Sequence, residues 1–417
     1  MKTARTLLRA AMIADGDAVW AAPGAVLVES GRILASGSPQ SIGTPSDTEA
    51  VDLPRSVLIP ALVNVHSHLD LTHVRPVPFS DDFRSWADYV RTERAVEDDR
   101  IAAAVRRGIE LSRLGGTAII GDIAGNGSLI PLRELRAAGL AGVSFLEVFG
   151  TGQREEKAIG RLRHAVETCS DDDSNARLGL QPHAAYSCGE SVYFAAASLG
   201  RPVSTHLAET LEELEFVARG TGPLADLLKD LGVWDGTVTA PQVHPIDWLA
   251  QALAATPFVA AHLNYVEPRH LGWLAAWNTT VAYCPRASTY FGHPQGGNPP
   301  HLYRQMLDAG VNVALGTDSS ICLDTPGRIS VLDEMRLLHR RDGTEPRKLL
   351  AMATTAGARG LGFDARLTTL APGPTAGILA VPCTSTASDD PLADALNGDD
   401  PPRWVWGPID GREFEDE

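Results

Sequence analysis

Beyond Val57 the sequence alternates between short apolar runs and longer segments in which apolar residues return every three to four positions. The apolar runs read as strands, ending near His68, Asp122, Glu147, His183, His206, His262, Cys284 and Asp318. Continuous hydrophobicity over so short a stretch suits a strand covered on both faces. The segments between them read as amphipathic helices. Ile101, Val105 and Ile109 stand at i, i+4 and i+8, and a Glu-rich helix is expected over Leu211–Arg219. Strands alternating with helices predict βα units, and this number of units predicts an α/β fold closed as a (β/α)8 TIM barrel, with functional groups at the C-terminal ends of its strands.

The two ends of the chain follow another pattern. Ala25–Glu29, Ser30-Gly31 and Arg32–Ala35 read as a hairpin. After helices expected at about Ile329–Arg340 and Glu345–Leu361, Gly/Pro-rich short strands return from Ala371. Both ends are therefore expected to build one small β-sandwich domain. The expected division is 1–57 for its first part, 58–365 for the barrel and 366–417 for its second part. Ser388–Pro402, acidic and proline-bearing, reads as a surface excursion before a last strand at Arg403–Trp406.

The 417 residues, 44% hydrophobic, supply a large core. A net charge of −16 without a basic run argues against nucleic-acid or anionic-membrane partners, and points to a small-molecule substrate. No stretch approaches a transmembrane helix, and the five cysteines are scattered without a C-x-x-C pair. A reduced, cytoplasmic setting is expected, with a homodimer left open.

His66 and His68 close the first apolar run at i and i+2, so on a strand both imidazoles project from one face. His206 closes Val203-Ser204-Thr205-His206, and Asp318 follows Val313-Ala314-Leu315-Gly316-Thr317. Three imidazoles and one carboxylate suit one divalent ion, zinc or iron, with a position left for water. A single buried histidine is more often a hydrogen-bonded core residue, and Glu209 equally suits the start of a helix. The coincidence of these residues at strand ends favours a site.

Taken together, the H-x-H of strand 1, His206 with Glu209 three residues later, His262-Leu263-Asn264 and Thr317-Asp318-Ser319 resemble the amidohydrolase superfamily, and within it the cytosine-deaminase-like and chlorohydrolase-like metal-dependent enzymes. The resemblance implies that His66, His68, His206 and Asp318 hold the metal. It further implies that Asp318 takes a proton from the activated water, that Glu209 protonates a ring nitrogen and helps ammonia leave, and that His262 orients the attacking water. Relatives with two metals bridge them through a carboxylated lysine at the end of strand 4. Here the lysines are Lys2, Lys157, Lys229 and Lys348, none at a strand end, which excludes that bridge.

Phe145-Leu146-Glu147-Val148-Phe149-Gly150, His183-Ala184-Ala185-Tyr186-Ser187 and Tyr283-Cys284-Pro285-Arg286 resemble the aminofutalosine-deaminase-like branch. That branch deaminates a 6-aminopurine nucleoside derivative in menaquinone biosynthesis. It implies substrate-binding roles for Glu147, His183 and Arg286, the guanidinium taking an aryl carboxylate. The expected activity is hydrolytic deamination of a cyclic amidine. Deamination or dechlorination of a guanine, cytosine or triazine ring is the alternative, and a silent scaffold is the alternative of another class. Retention of every ligand and of Glu209 favours the enzyme.

Overall fold

The computed structural model describes residues 5–80, 82–170, 175–234, 238–294, 300–384 and 389–407. The chain forms two compact units, one of Val65–Glu110 and Ile120–Pro326, the other of Met1–Asn64, Leu111–Ile119 and Gly327–Glu417.

Eight strands make one sheet in chain order: β1 (Leu62–Ser67), β2 (Thr117–Ala124), β3 (Ala141–Val148), β4 (Ala176–Pro182), β5 (Val203–Leu207), β6 (Phe258–His262), β7 (Thr280–Tyr283) and β8 (Asn312–Leu315). Pairing is parallel from β3 through β8. A parallel bridge between Ser67 and Asp318 brings the first strand to the last. There the N–H groups of Thr317 and Asp318 both donate to the His66 carbonyl, at 2.9 and 3.0 Å. Gly316 permits this seam, because a Cβ at that position would lie 2.8 Å from His66 Cβ and 2.9 Å from Cys284 Sγ. The expected (β/α)8 barrel is present, with each strand ending within three residues of its expected end. β2 is buried along its whole length, which accounts for the apolar run Ala118–Gly121 that leads to Asp122. Among the described residues no helix is long and apolar enough to cross a membrane.

The second unit holds a mixed sheet of both chain ends, in the order Gly373–Pro374, Arg32–Gly37, Gly24–Glu29, Arg5–Ala14, Thr48–Pro60, Ile378–Pro382 and Arg403–Trp406. Two expectations change here. The excursion expected at Ser388–Pro402 contains a helix, Pro391–Asn397, whose start is capped by Asp390 accepting from the Leu392 and Ala393 N–H groups. Its Leu392, Ala395 and Leu396 are buried on one face. The helix expected at Glu345–Leu361 is divided at Thr354 into Pro346–Ala353 and Thr355–Gly360.

His244 and His270 are structural. His244 Nδ1 accepts from Ile246 N–H at 3.2 Å while its Nε2 donates to the Tyr265 carbonyl at 3.0 Å. That pattern needs the neutral ring, and burial followed by neighbouring His270 pushes its pKa down to about 4. The unfolded residue titrates near 6.5, so the stability that neutral His244 supports is present above that pH and is lost as pH falls toward 4. Each pH unit corresponds to about 1.4 kcal/mol before solvent screening reduces it for a half-buried ring. His244→Gln should therefore lower Tm at pH 7.5 by more than at pH 5. A Tm difference independent of pH would remove the assignment.

Candidate active site

The ends of the strands carry the chemistry to one point. His66 lies in β1 and His68 just beyond it, His206 in β5, His262 at the end of β6 and Asp318 after β8. Asp318 Oδ1 stands 3.4 Å from His68 Nε2 and 3.8 Å from His66 Nε2, and His206 Nε2 stands 3.4 Å from His68 Nε2. Among the described residues, potential ligand atoms lie within 4.8 Å of one another in four overlapping groups: His66–His68–Asp318, His66–His206–His262, Glu209–His262–Asp318 and Glu147–His183–His206.

The backbone is bent to achieve this. Ala208, His262, Leu263 and Asp318 have φ of 49°, 72°, 51° and 59°, left-handed values that cost a non-glycine residue on the order of 1 kcal/mol or more. Such conformations recur where surrounding structure holds a functional residue in place. His301 supports one of them. Its Nδ1 accepts from Tyr303 N–H, and its Nε2 donates to the His262 carbonyl at 2.8 Å.

The donor set fits a divalent cation. Burial, then neighbouring imidazoles, hold His66 and His68 well below the usual histidine range and bring His206 down to about 3. Burial pushes His262 down as well. Neutral imidazoles present lone pairs, the form a metal takes. His206 Nδ1 donates to the His183 carbonyl at 3.1 Å, which directs its Nε2 lone pair to the centre of the group. His68 Nδ1 is buried and finds no hydrogen-bond partner among the described residues. Converging lone pairs this close repel one another until a cation lies between them.

Glu209 follows β5. Its Oε1 is 3.5 Å from His262 Nε2, and burial, then Asp318 and Glu213, raise its carboxyl well above the usual range. A carboxyl in this setting favours its protonated form more than an exposed one does. Glu213 anchors the loop that carries it, accepting the N–H groups of Ala208 at 3.0 Å and Glu209 at 2.8 Å. Asn264 Nδ2 donates to the Glu209 carbonyl at 3.0 Å. Neither residue is marked by its sequence context as part of the site. Thr210-Leu211-Glu212-Glu213 carried a signal, the Thr-x-x-Glu of a capped helix start, and Thr210 does cap the helix Leu211–Arg219.

A cavity of about 430 Å³ opens on this group. Glu147 and His183 line one wall, with Glu147 Oε1 3.9 Å from His183 Nε2. His183 is neutral, its pKa lowered to about 3 by burial and then by Arg94. Arg94 also lines the cavity, although nothing in its sequence context marked it. Arg286 is placed differently: its Nη1 donates to Thr325 Oγ1 at 2.8 Å and Asp324 Oδ1 at 3.2 Å, and it is not among the cavity-lining residues. Phe83, Trp86, Leu227, Leu228 and Leu231 form an apolar flank, with Arg91 and Arg154 beside it.

The amidohydrolase family model matches residues 57–409. This chain belongs to the amidohydrolase family. The amidohydrolase is 27% identical over 375 residues to the 5'-deoxyadenosine deaminase of Methanothermobacter thermautotrophicus, covering 85% of this chain and 80% of the relative. It is 28% identical to the aminodeoxyfutalosine deaminase of Deinococcus radiodurans, covering 82% of each. Its fold is similar to that of Helicobacter pylori aminofutalosine deaminase in complex with methylthio-coformycin, with TM-score 0.76 at 19% identity, covering 94% of this chain and 95% of the other. It is likewise similar to the zinc complex of the atrazine chlorohydrolase TrzN from Arthrobacter aurescens, with TM-score 0.72 at 19% identity, covering 94% and 91%.

Proposed function

We propose that this amidohydrolase hydrolyses the exocyclic amine of a 6-aminopurine nucleoside, releasing ammonia, with one zinc ion, or iron in its place, on His66, His68, His206 and Asp318. The observation that carries this reading is Glu209, a buried carboxyl raised above the usual carboxylate range by burial and Asp318, grouped with His262 and Asp318 at the head of a nucleoside-sized cavity. A bound divalent ion lowers the pKa of water toward neutrality. Asp318 accepts the proton of the attacking water, His262 orients that water, and Glu209 protonates the ring nitrogen beside the carbon under attack. A proton then passes to the departing amine. Glu147 and His183 take the ribose hydroxyls. The names of the relatives support deamination over ring opening or dechlorination.

The first choice of substrate is an adenine nucleoside bearing an aryl carboxylate, as in menaquinone biosynthesis in the cytoplasm. The apolar flank suits the aryl ring. Arg286 reaches such a carboxylate only by leaving Asp324, an exposed partner, whereas Arg154 already borders the cavity. Ammonia release from carboxylated and plain adenine nucleosides tests the reading. Arg286→Ala and Arg154→Ala, compared on both, identify the clamp: the responsible residue loses about tenfold or more on the carboxylated nucleoside alone. Release of ammonia from pyrimidine or triazine amines, and from no adenine nucleoside, would overturn the nucleoside reading.

A further inference from the structure

We propose that Arg94 is a positioning residue, which sets the Glu147 carboxylate for reading ribose through a buried Asp70–Arg94–Glu147 chain; the inference rests on the nucleoside reading above. The helix Phe83–Glu93 ends at Arg94, whose N–H closes the last turn on the Val90 carbonyl while its own backbone is already extended. From there Arg94 spans two carboxylates. Its Nε lies 3.0 Å from Asp70 Oδ2, and its Nη1 donates to Glu147 Oε2 at 3.1 Å. The three side chains are 11%, 5% and 2% exposed in the order Arg94, Asp70, Glu147. Gly125, just after β2, leaves the slot they need: a Cβ there would lie 2.4 Å from Arg94 Cζ and 2.6 Å from Asp70 Oδ2.

The chain joins two parts of the site. Asp70 sits on the turn immediately after His68, and Glu147 on the cavity wall. With Oε2 taken by Arg94, Glu147 has Oε1 left, facing His183 Nε2 across 3.9 Å. His183 Nδ1 is 2.7 Å from Ser187 Oγ, whose own proton is directed to the Ala184 carbonyl at 3.2 Å. Nδ1 is therefore the donor and Nε2 an acceptor. Two acceptors too far apart to bond each other are complementary to a pair of adjacent hydroxyl donors. A vicinal diol fits them, and a planar guanidinium fixes one of them by its edge. Stability alone does not explain such a chain, since buried ionic triads are often replaced by apolar side chains at no cost.

The test compares an adenine ribonucleoside with its 2',3'-dideoxy analogue on wild type, Arg94→Met, Arg94→Lys and Gly125→Ala. Wild type should favour the ribonucleoside by about 100-fold in kcat/KM, as expected for a site whose buried acceptors are left unpaired by the analogue. Arg94→Met should lose at least about tenfold of that preference, chiefly through KM for the ribonucleoside, and Arg94→Lys should restore part of it. Gly125→Ala, which displaces the guanidinium without removing it, should act in the same direction and covers the case of Arg94→Met failing to fold. Equal losses on both substrates in the folded variants would make Arg94 merely structural and overturn the inference. A wild type that deaminates both nucleosides equally overturns the ribose reading. A wild type inactive on every adenine nucleoside overturns the proposed function itself.

Discussion

Glu209→Gln is expected to bind metal as the wild type does and to lose about two to four orders of magnitude in kcat. The residue's main chain is held at both ends, by Glu213 on its N–H and by Asn264 on its carbonyl, so the amide should occupy the place of the acid. What disappears is the proton. Burial and Asp318 raise the wild-type carboxyl well above the usual range, which favours the proton that the proposed reaction gives to the ring nitrogen. An amide cannot shuttle that hydrogen onward to ammonia. Metal content by atomic spectroscopy, measured beside kcat, separates this from a folding defect. Normal turnover in the variant would reduce Glu209 to a loop residue and send the proton elsewhere.

His68→Ala should instead lose metal and activity together, with turnover down by about three orders of magnitude or more. His68 Nε2 faces both Asp318 Oδ1 and His206 Nε2 at 3.4 Å, so its removal opens the middle of the ligand group. Metal titration of the variant and of wild type supplies the readout. One ion per wild-type chain and weak binding by His68→Ala is the expected pair of results. Retained stoichiometric metal in the variant, or two tightly held ions in the wild type, would sink the assignment.

The barrel was legible because strands buried on both faces are mostly apolar, and β2 and β3 are so apart from Thr117, Asp122, Ser144 and Glu147. The cluster of His66, His68, His206 and Asp318 was legible because strand ends are where a barrel exposes its groups. Direction was less so. Arg286 follows β7 as read, yet a long side chain can turn either way, and this one turns to Asp324. Arg94 was hidden in Arg91-Thr92-Glu93-Arg94, where its neighbours are exposed and polar. The left-handed backbone at Ala208, His262 and Asp318 was also hidden, since none of these is a glycine. The helix Pro391–Asn397 escaped notice because Leu392, Ala395 and Leu396 are too few to establish a period among the surrounding aspartates.

The seam at His66 has a consequence for biosynthesis. Its partner N–H groups belong to Thr317 and Asp318, about 250 residues later, so β1 emerges from the ribosome long before β8 exists. At ordinary translation rates of about 5–20 residues per second, that interval is roughly 10 to 50 seconds. Throughout it β1 presents an unpaired edge, open to chaperones and to other chains. The nascent chain already carries His66, His68 and His206 during part of that time, but no Asp318. Synthesis of the last strand therefore completes the proposed ligand set and closes the edge in one event.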